Sequence, residues 1–122
     1  MKQRYPDLIR FLIEDVTDGP SWTRWSPTQR ERWLYYNIYT APWRAFEVYQ
    51  LYQRYNGNKD LEGKSLLDIG CGLGSMALYL TTEFNACRAV GLDRDSEFLR
   101  AMSRTLRRVG FGGLGLVSGD MN

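Results

Sequence analysis

The amino-acid sequence predicts an α/β fold in which a short parallel sheet, ordered β-α-β-α-β, follows an N-terminal helical module. Three observations predict it. Thirteen of the 17 aromatic residues lie in positions 1–64, among them all four Trp and seven of the eight Tyr, whereas 11 of the 12 glycines lie from Gly57 onward. Beyond position 64, short apolar runs alternate with segments of helical periodicity. Between the first apolar run and the first of those helices stands a glycine loop, Gly70-Cys71-Gly72-Leu73-Gly74. The expected organisation is an aromatic-rich helical cap at 1–60 and a sheet-containing half-domain at 61–122, and 122 residues suffice for one core shared between them.

Each element has a local cause. Pro6 suits a first helical turn, and the apolar spacing from Leu8 to Val16 predicts a helix over 6–16 that Thr17-Asp18-Gly19-Pro20 breaks. Ser26-Pro27-Thr28-Gln29 reads as an N-cap, a proline at the first helical position and a Gln that closes a capping box, opening a helix toward Tyr39. Thr40-Ala41-Pro42 restarts the chain. Helical spacing from Trp43 to Tyr55 ends at Asn56-Gly57-Asn58, a left-handed cap. Strand-like runs follow at 64–69, 87–93 and, more weakly, 114–117, with helices at 74–84 and 96–109, the latter stopped by Gly110. Such alternation implies right-handed crossovers, with ligands bound beyond the carboxyl ends of the strands.

Composition excludes several chemistries. The chain has no histidine, which removes Ser-His-Asp and Cys-His nucleophiles, imidazole acid–base catalysis and His-ligated metal sites; no metal is expected. Cys71 and Cys87 are too sparse for a disulfide scaffold, and with no cleavable leader pattern or membrane-length apolar run a cytoplasmic setting is expected. A formal net charge of +2 gives no bulk signal for nucleic acid or a membrane surface; nucleic acid is allowed but not indicated. The N-terminal aromatics are expected chiefly to pack, and the arginines among them, Arg44 included, to form a solvated helix face.

The glycine loop carries the main functional signal. Glycines permit positive φ in a tight turn and let backbone N–H groups approach a ligand, while the following helix N-terminus favours a carboxylate or phosphate. Asp68 precedes the loop, and Asp93 closes the second strand 19 residues after Gly74, where an acid can accept both ribose hydroxyls of an adenosine. Gly119-Asp120-Met121 follows the third strand, where a carboxylate can accept from an adenine amino group.

Leu66-Leu67-Asp68-Ile69-Gly70-Cys71-Gly72-Leu73-Gly74, with Val90-Gly91-Leu92-Asp93 and Ser118-Gly119-Asp120-Met121, resembles the nucleotide-binding half of the class I S-adenosylmethionine-dependent methyltransferases, a Rossmann-like fold. The resemblance covers about residues 62–122. It implies S-adenosyl-L-methionine as cofactor, with Asp68, Gly70, Gly72 and Gly74 around the methionine part, Asp93 on the ribose and Asp120 on the adenine. Cys71 through its backbone, and Arg94 and Met121 through their side chains, would be secondary contacts. A nicotinamide or flavin dinucleotide is the competing cofactor. Its fingerprint would place a glycine at Ser75, and Asp68 suits an ammonium better than a pyrophosphate.

In that family the sheet has seven strands, and here the third-strand acid stands two residues from the last. Strand one, central in the family, would have an open edge, covered by the N-terminal helices, by a second copy or complementary chain, or by the rest of a longer protein; the latter two are favoured. The expected function is that of a methyltransferase or its cofactor-binding part, the methyl acceptor and catalytic residues being unknown. A non-catalytic cofactor-binding or assembly module is the alternative.

Overall fold

A computed structural model of the chain describes residues 5–119. Five helical segments precede the sheet: α1 (Leu8–Thr17), α2 (Pro20–Arg24), α3 (Pro27–Leu34), a π-helical turn (Tyr35–Tyr39) and α4 (Ala41–Tyr55). Then β1 (Ser65–Ile69), α5 (Ser75–Thr82), β2 (Arg88–Asp93), α6 (Ser96–Val109) and β3 (Leu114–Ser118) alternate as expected.

The local signals act as read. Gln29 N–H donates to Ser26 Oγ at 3.2 Å and Ser26 N–H to Gln29 Oε1 at 2.8 Å, so the capping box opens α3. Gly57 and Gly110, with φ of +64° and +74°, end α4 and α6 in the left-handed conformation that lacks a steric cost only for glycine. Helix α2 was not expected. The segment read only as a break also contains Pro20 at a first helical position, and five residues of helix begin there.

The three strands are parallel in the order β1-β2-β3, with Asp68 beside Gly91, Ile69 beside Leu92, and Asp93 beside Ser118. This register brings Asp68 and Asp93 to one end of the sheet. Helices α5 and α6 pack on β2 and β3, while Leu67, Ile69 and Val117 are exposed on the strands. Among the described residues no strand pairs with the outer edge of β1.

The N-terminal helices share the sheet's core. Leu8, Leu12 and Val16 of α1 and Ile38 of the π turn are buried with Leu73, Leu78, Met102, Leu106 and Leu114. Polar contacts fix α1 on α6: Thr105 Oγ1 donates to Asp15 Oδ2 at 2.6 Å, and Arg108 pairs with Glu14 and Asp15. Trp22, Trp25 and Trp33 gather round Phe98 of α6 with ring centroids 5.1 to 6.4 Å apart, so these tryptophans pack as expected. Tyr35, Tyr36, Tyr39, Trp43 and Tyr55 do not; they are exposed, because their helices turn one face to α5 and the loop and leave the other to solvent.

Candidate functional site

The glycine loop leaves β1 and opens α5 with positive φ at Gly70, Gly72 and Gly74. The turn is tied to the end of β2: Gly70 and Cys71 N–H both donate to Leu92 O, at 2.7 and 3.1 Å, and Gly72 N–H donates to Asp93 Oδ2 at 2.8 Å. Gly74 N–H closes back on Cys71 O at 2.9 Å. All four of these backbone donors are engaged within the fold. Close approach matters at Gly91, where a Cβ would stand 2.7 Å from Cys71 Sγ, inside any tolerable contact.

Asp93 also accepts from Asp95 N–H at 2.9 Å through Oδ1. The backbone donors of Asp95 and Gly72 hold its carboxyl below the ordinary carboxylate value, so it is ionised at neutral pH. Two of about four acceptor positions of a carboxylate are thereby used, and the others remain for hydroxyl donors. Asp95 in turn caps α6 through Glu97 N–H. Arg94 is exposed beside Asp93. Asp120 and Met121 lie outside the described residues.

Asp68 lies in a cavity of about 120 Å³ whose lining is Tyr36, Asn37, Arg44, Asp68, Gly70, Cys71, Gly72, Ser75 and Met76. Burial raises the Asp68 carboxyl above its ordinary value, the Arg44 guanidinium works against that rise, and Asp93 adds to it. The same burial, reinforced by Asp68 and Asp93, pushes the Cys71 thiol up to about 12, so Cys71 is no thiolate nucleophile.

A third of this lining, Tyr36, Asn37 and Arg44, comes from the N-terminal helical segment, which sequence reasoning missed. Arg44, read there as part of a solvated face, points its guanidinium into the cavity's wall. The cause is the π turn. Thr40 N–H bonds Tyr35 O, five residues back, at 2.9 Å, which frees Tyr36 O from the α-helical ladder. That carbonyl accepts instead from Thr40 Oγ1 at 3.0 Å and from Arg44 Nη2 at 2.5 Å, while the guanidinium carbon sits 4.2 Å from the Tyr36 ring centroid. No periodicity rule reveals this pairing, because Tyr36 and Arg44 are eight residues apart across the Pro42 restart.

Two buried polar atoms of the lining lack a partner: Arg44 Nε and Ser75 Oγ. Native proteins seldom leave such atoms unpaired, so these two call for a polar partner in the cavity, an ordered water or a polar ligand. A carboxylate, unpaired donors, a helix N-terminus and a loop with glycine at alternate positions together suit a small molecule carrying charges of both signs.

Comparison with known proteins is consistent in one direction. Residues 66–122 match the family described as methyltransferase domain. The chain is 38% identical over 71 residues to a fatty-acid O-methyltransferase of Mycolicibacterium smegmatis, covering 58% of this chain and 25% of that protein. It is 39% identical over 51 residues to the ribosomal protein L11 methyltransferase of Pectobacterium carotovorum, covering 42% of this chain and 17% of that one. The chain thus spans a quarter or less of these relatives' length. In fold it is similar to the plantazolicin methyltransferase BpumL, solved in complex with a pentazolic desmethylPZN analog and SAH (TM-score 0.60, 16% identity, 98% of this chain and 43% of that one).

Proposed function

We propose, from the match of residues 66–122 to the methyltransferase-domain family, that the chain binds S-adenosylmethionine at the carboxyl ends of β1, β2 and β3 and serves the transfer of its methyl group to an acceptor. The observation that carries the reading is the joining of Asp68, the glycine loop and Asp93 at one end of the sheet, beside a cavity with two unpaired buried polar atoms. These residues fit the group. Asp68, when ionised, accepts from its ammonium; Asp93, fixed by Gly72 and Asp95, accepts from the ribose hydroxyls; Asp120 is the proposed partner of the adenine amino group. Gly70, Gly72 and Gly74 provide the close wall, with Cys71, Arg94 and Met121 as secondary contacts.

When bound, the sulfonium supplies an electrophilic methyl group, and the protein's share is alignment and exclusion of water. No described residue is assigned as a general base, and the acceptor stays unassigned. The N-terminal helices, which supply Tyr36, Asn37 and Arg44, act in this reading as the cap over the cofactor. Further polypeptide, a second copy or a complementary chain, is proposed to cover Leu67, Ile69 and Val117, since parallel sheets bury both faces. No helix of the described residues is long and apolar enough to cross a membrane. A cytoplasmic location is proposed on the two sparse, unpaired cysteines.

Calorimetric titration with S-adenosylhomocysteine and with NAD tests the function. Binding of the former alone is expected, and Asp93→Ala should weaken it by roughly 1–3 kcal/mol, as for other hydrogen bonds to a charged group. Binding of NAD alone would replace the reading with a dinucleotide site.

A further inference from the structure

We propose that Arg44 and Asp68 form a two-charge clamp that selects the intact amino-acid end of the cofactor, with Arg44 receiving the carboxylate while Asp68 receives the ammonium. The proposal rests on the cofactor reading above and adds a residue that the glycine-loop pattern does not contain.

Four observations converge on an anion beside Arg44. Its Nε is buried and unpaired, in the same cavity as Asp68. Its Nη2 is tied to Tyr36 O and its plane lies against the Tyr36 ring, so the guanidinium is held before any ligand arrives, and little side-chain freedom remains to be lost on binding. The second unpaired donor, Ser75 Oγ, belongs to the first residue of α5, where the helix N-terminus adds a field favourable to negative charge. Finally, Arg44 and Asp68 share a wall without forming an ion pair. Opposite charges lining one cavity of about 120 Å³ would ordinarily pair directly if the surrounding contacts allowed it. Kept apart by the Tyr36 tether, they match the ammonium and carboxylate of an α-amino acid, each protein charge left to its opposite. Arg44 suits this task better than a lysine, since a guanidinium whose Nη2 is already engaged still presents its buried, unpaired Nε–H to a carboxylate.

Calorimetry with two ligands tests it: S-adenosylhomocysteine, and its decarboxylated analogue, which keeps the amine. Wild type should prefer the carboxylate-bearing ligand. Arg44→Met should weaken that ligand roughly 10- to 100-fold, the scale of a charge-assisted hydrogen bond, and leave the decarboxylated ligand within about twofold. Arg44→Lys, which keeps the charge but loses the fork, should fall between. Equal weakening of both ligands by Arg44→Met and Arg44→Lys would show a merely structural role, and unchanged affinity for S-adenosylhomocysteine in Arg44→Met would show no role; either overturns the clamp while leaving the cofactor reading intact. If wild type binds neither ligand, the cofactor reading itself fails and takes the clamp with it.

Discussion

The cavity has two walls built in different ways. The sheet wall, Asp68 through Gly74 with Asp93, is placed by the loop's main-chain N–H groups, which donate to Leu92 O and to the Asp93 carboxylate. The helical wall, Tyr36, Asn37 and Arg44, is placed by side chains: Ile38 is buried in the core, Asn37 Nδ2 donates to Trp33 O at 3.1 Å, and Arg44 hangs from Tyr36 O. Main-chain placement depends on spacing along the chain and tolerates many side chains at the intervening positions. Side-chain placement depends on what each residue meets in three dimensions. Damage to the first wall should therefore travel through the backbone, and damage to the second through packing.

The largest expected effect tests the helical wall. Ile38 is 3% exposed, and Ile38→Ala should cost about 2–5 kcal/mol in urea unfolding, the usual range for a buried aliphatic cut to alanine. A loss well under 1 kcal/mol would show that the π turn is placed by its backbone after all. Gly91→Ala tests the sheet wall. The added methyl would meet Cys71 Sγ at 2.7 Å and Leu116 Cδ2 at 3.1 Å, and a cost of about 1–3 kcal/mol is expected. Gly115→Ala, in the neighbouring strand, would meet nothing nearer than 3.9 Å and should stay within about 0.5 kcal/mol. Equal effects at the two glycines would dissolve the distinction.

The smallest effect is one of sign. Burial raises the Asp68 pKa, so its ionised form costs stability above that pKa, and the cost is relieved as pH falls through it toward the ordinary 3.8. Asp68→Asn should accordingly gain more stability over wild type at pH 7 than at pH 3, measured by thermal melting. Binding should run the other way. S-adenosylhomocysteine affinity in the wild type is expected to drop on acidification, starting above pH 3.8, and Asp68→Asn should be weak and flat across the same range. A variant less stable at pH 7 than wild type would assign Asp68 to the fold rather than the site.

This contrast also explains what could be read from the residues. The β-α-β-α-β order, the capping box at Ser26 and the stop at Gly110 were legible because each is a local pattern with a backbone consequence. The meeting of Asp68 with Asp93 was legible because parallel strands of similar length end together. Arg44 was not, since its exposed-looking position in the α4 repeat gives no sign that a carbonyl eight residues earlier is free to hold it. The exposure of Tyr35, Tyr39 and Trp43 was likewise hidden, because helical spacing shows that a face is aromatic without showing what covers it.

The π turn carries a consequence for chain length. An i to i+5 loop encloses one residue more than the α-helical loop it replaces, so Tyr35–Tyr39 amounts to a single inserted position. Excising one residue there, Tyr39 for example, would return Tyr36 O to the ordinary ladder and deprive the guanidinium of its tether, with every charged residue of the cavity still present. In this stretch the spacing between Trp33 and Arg44 decides whether the guanidinium is tethered. Two sequences that both carry the arginine but differ by one residue in that interval are not equivalent, and an alignment that closes the gap silently would pair a held guanidinium with a loose one.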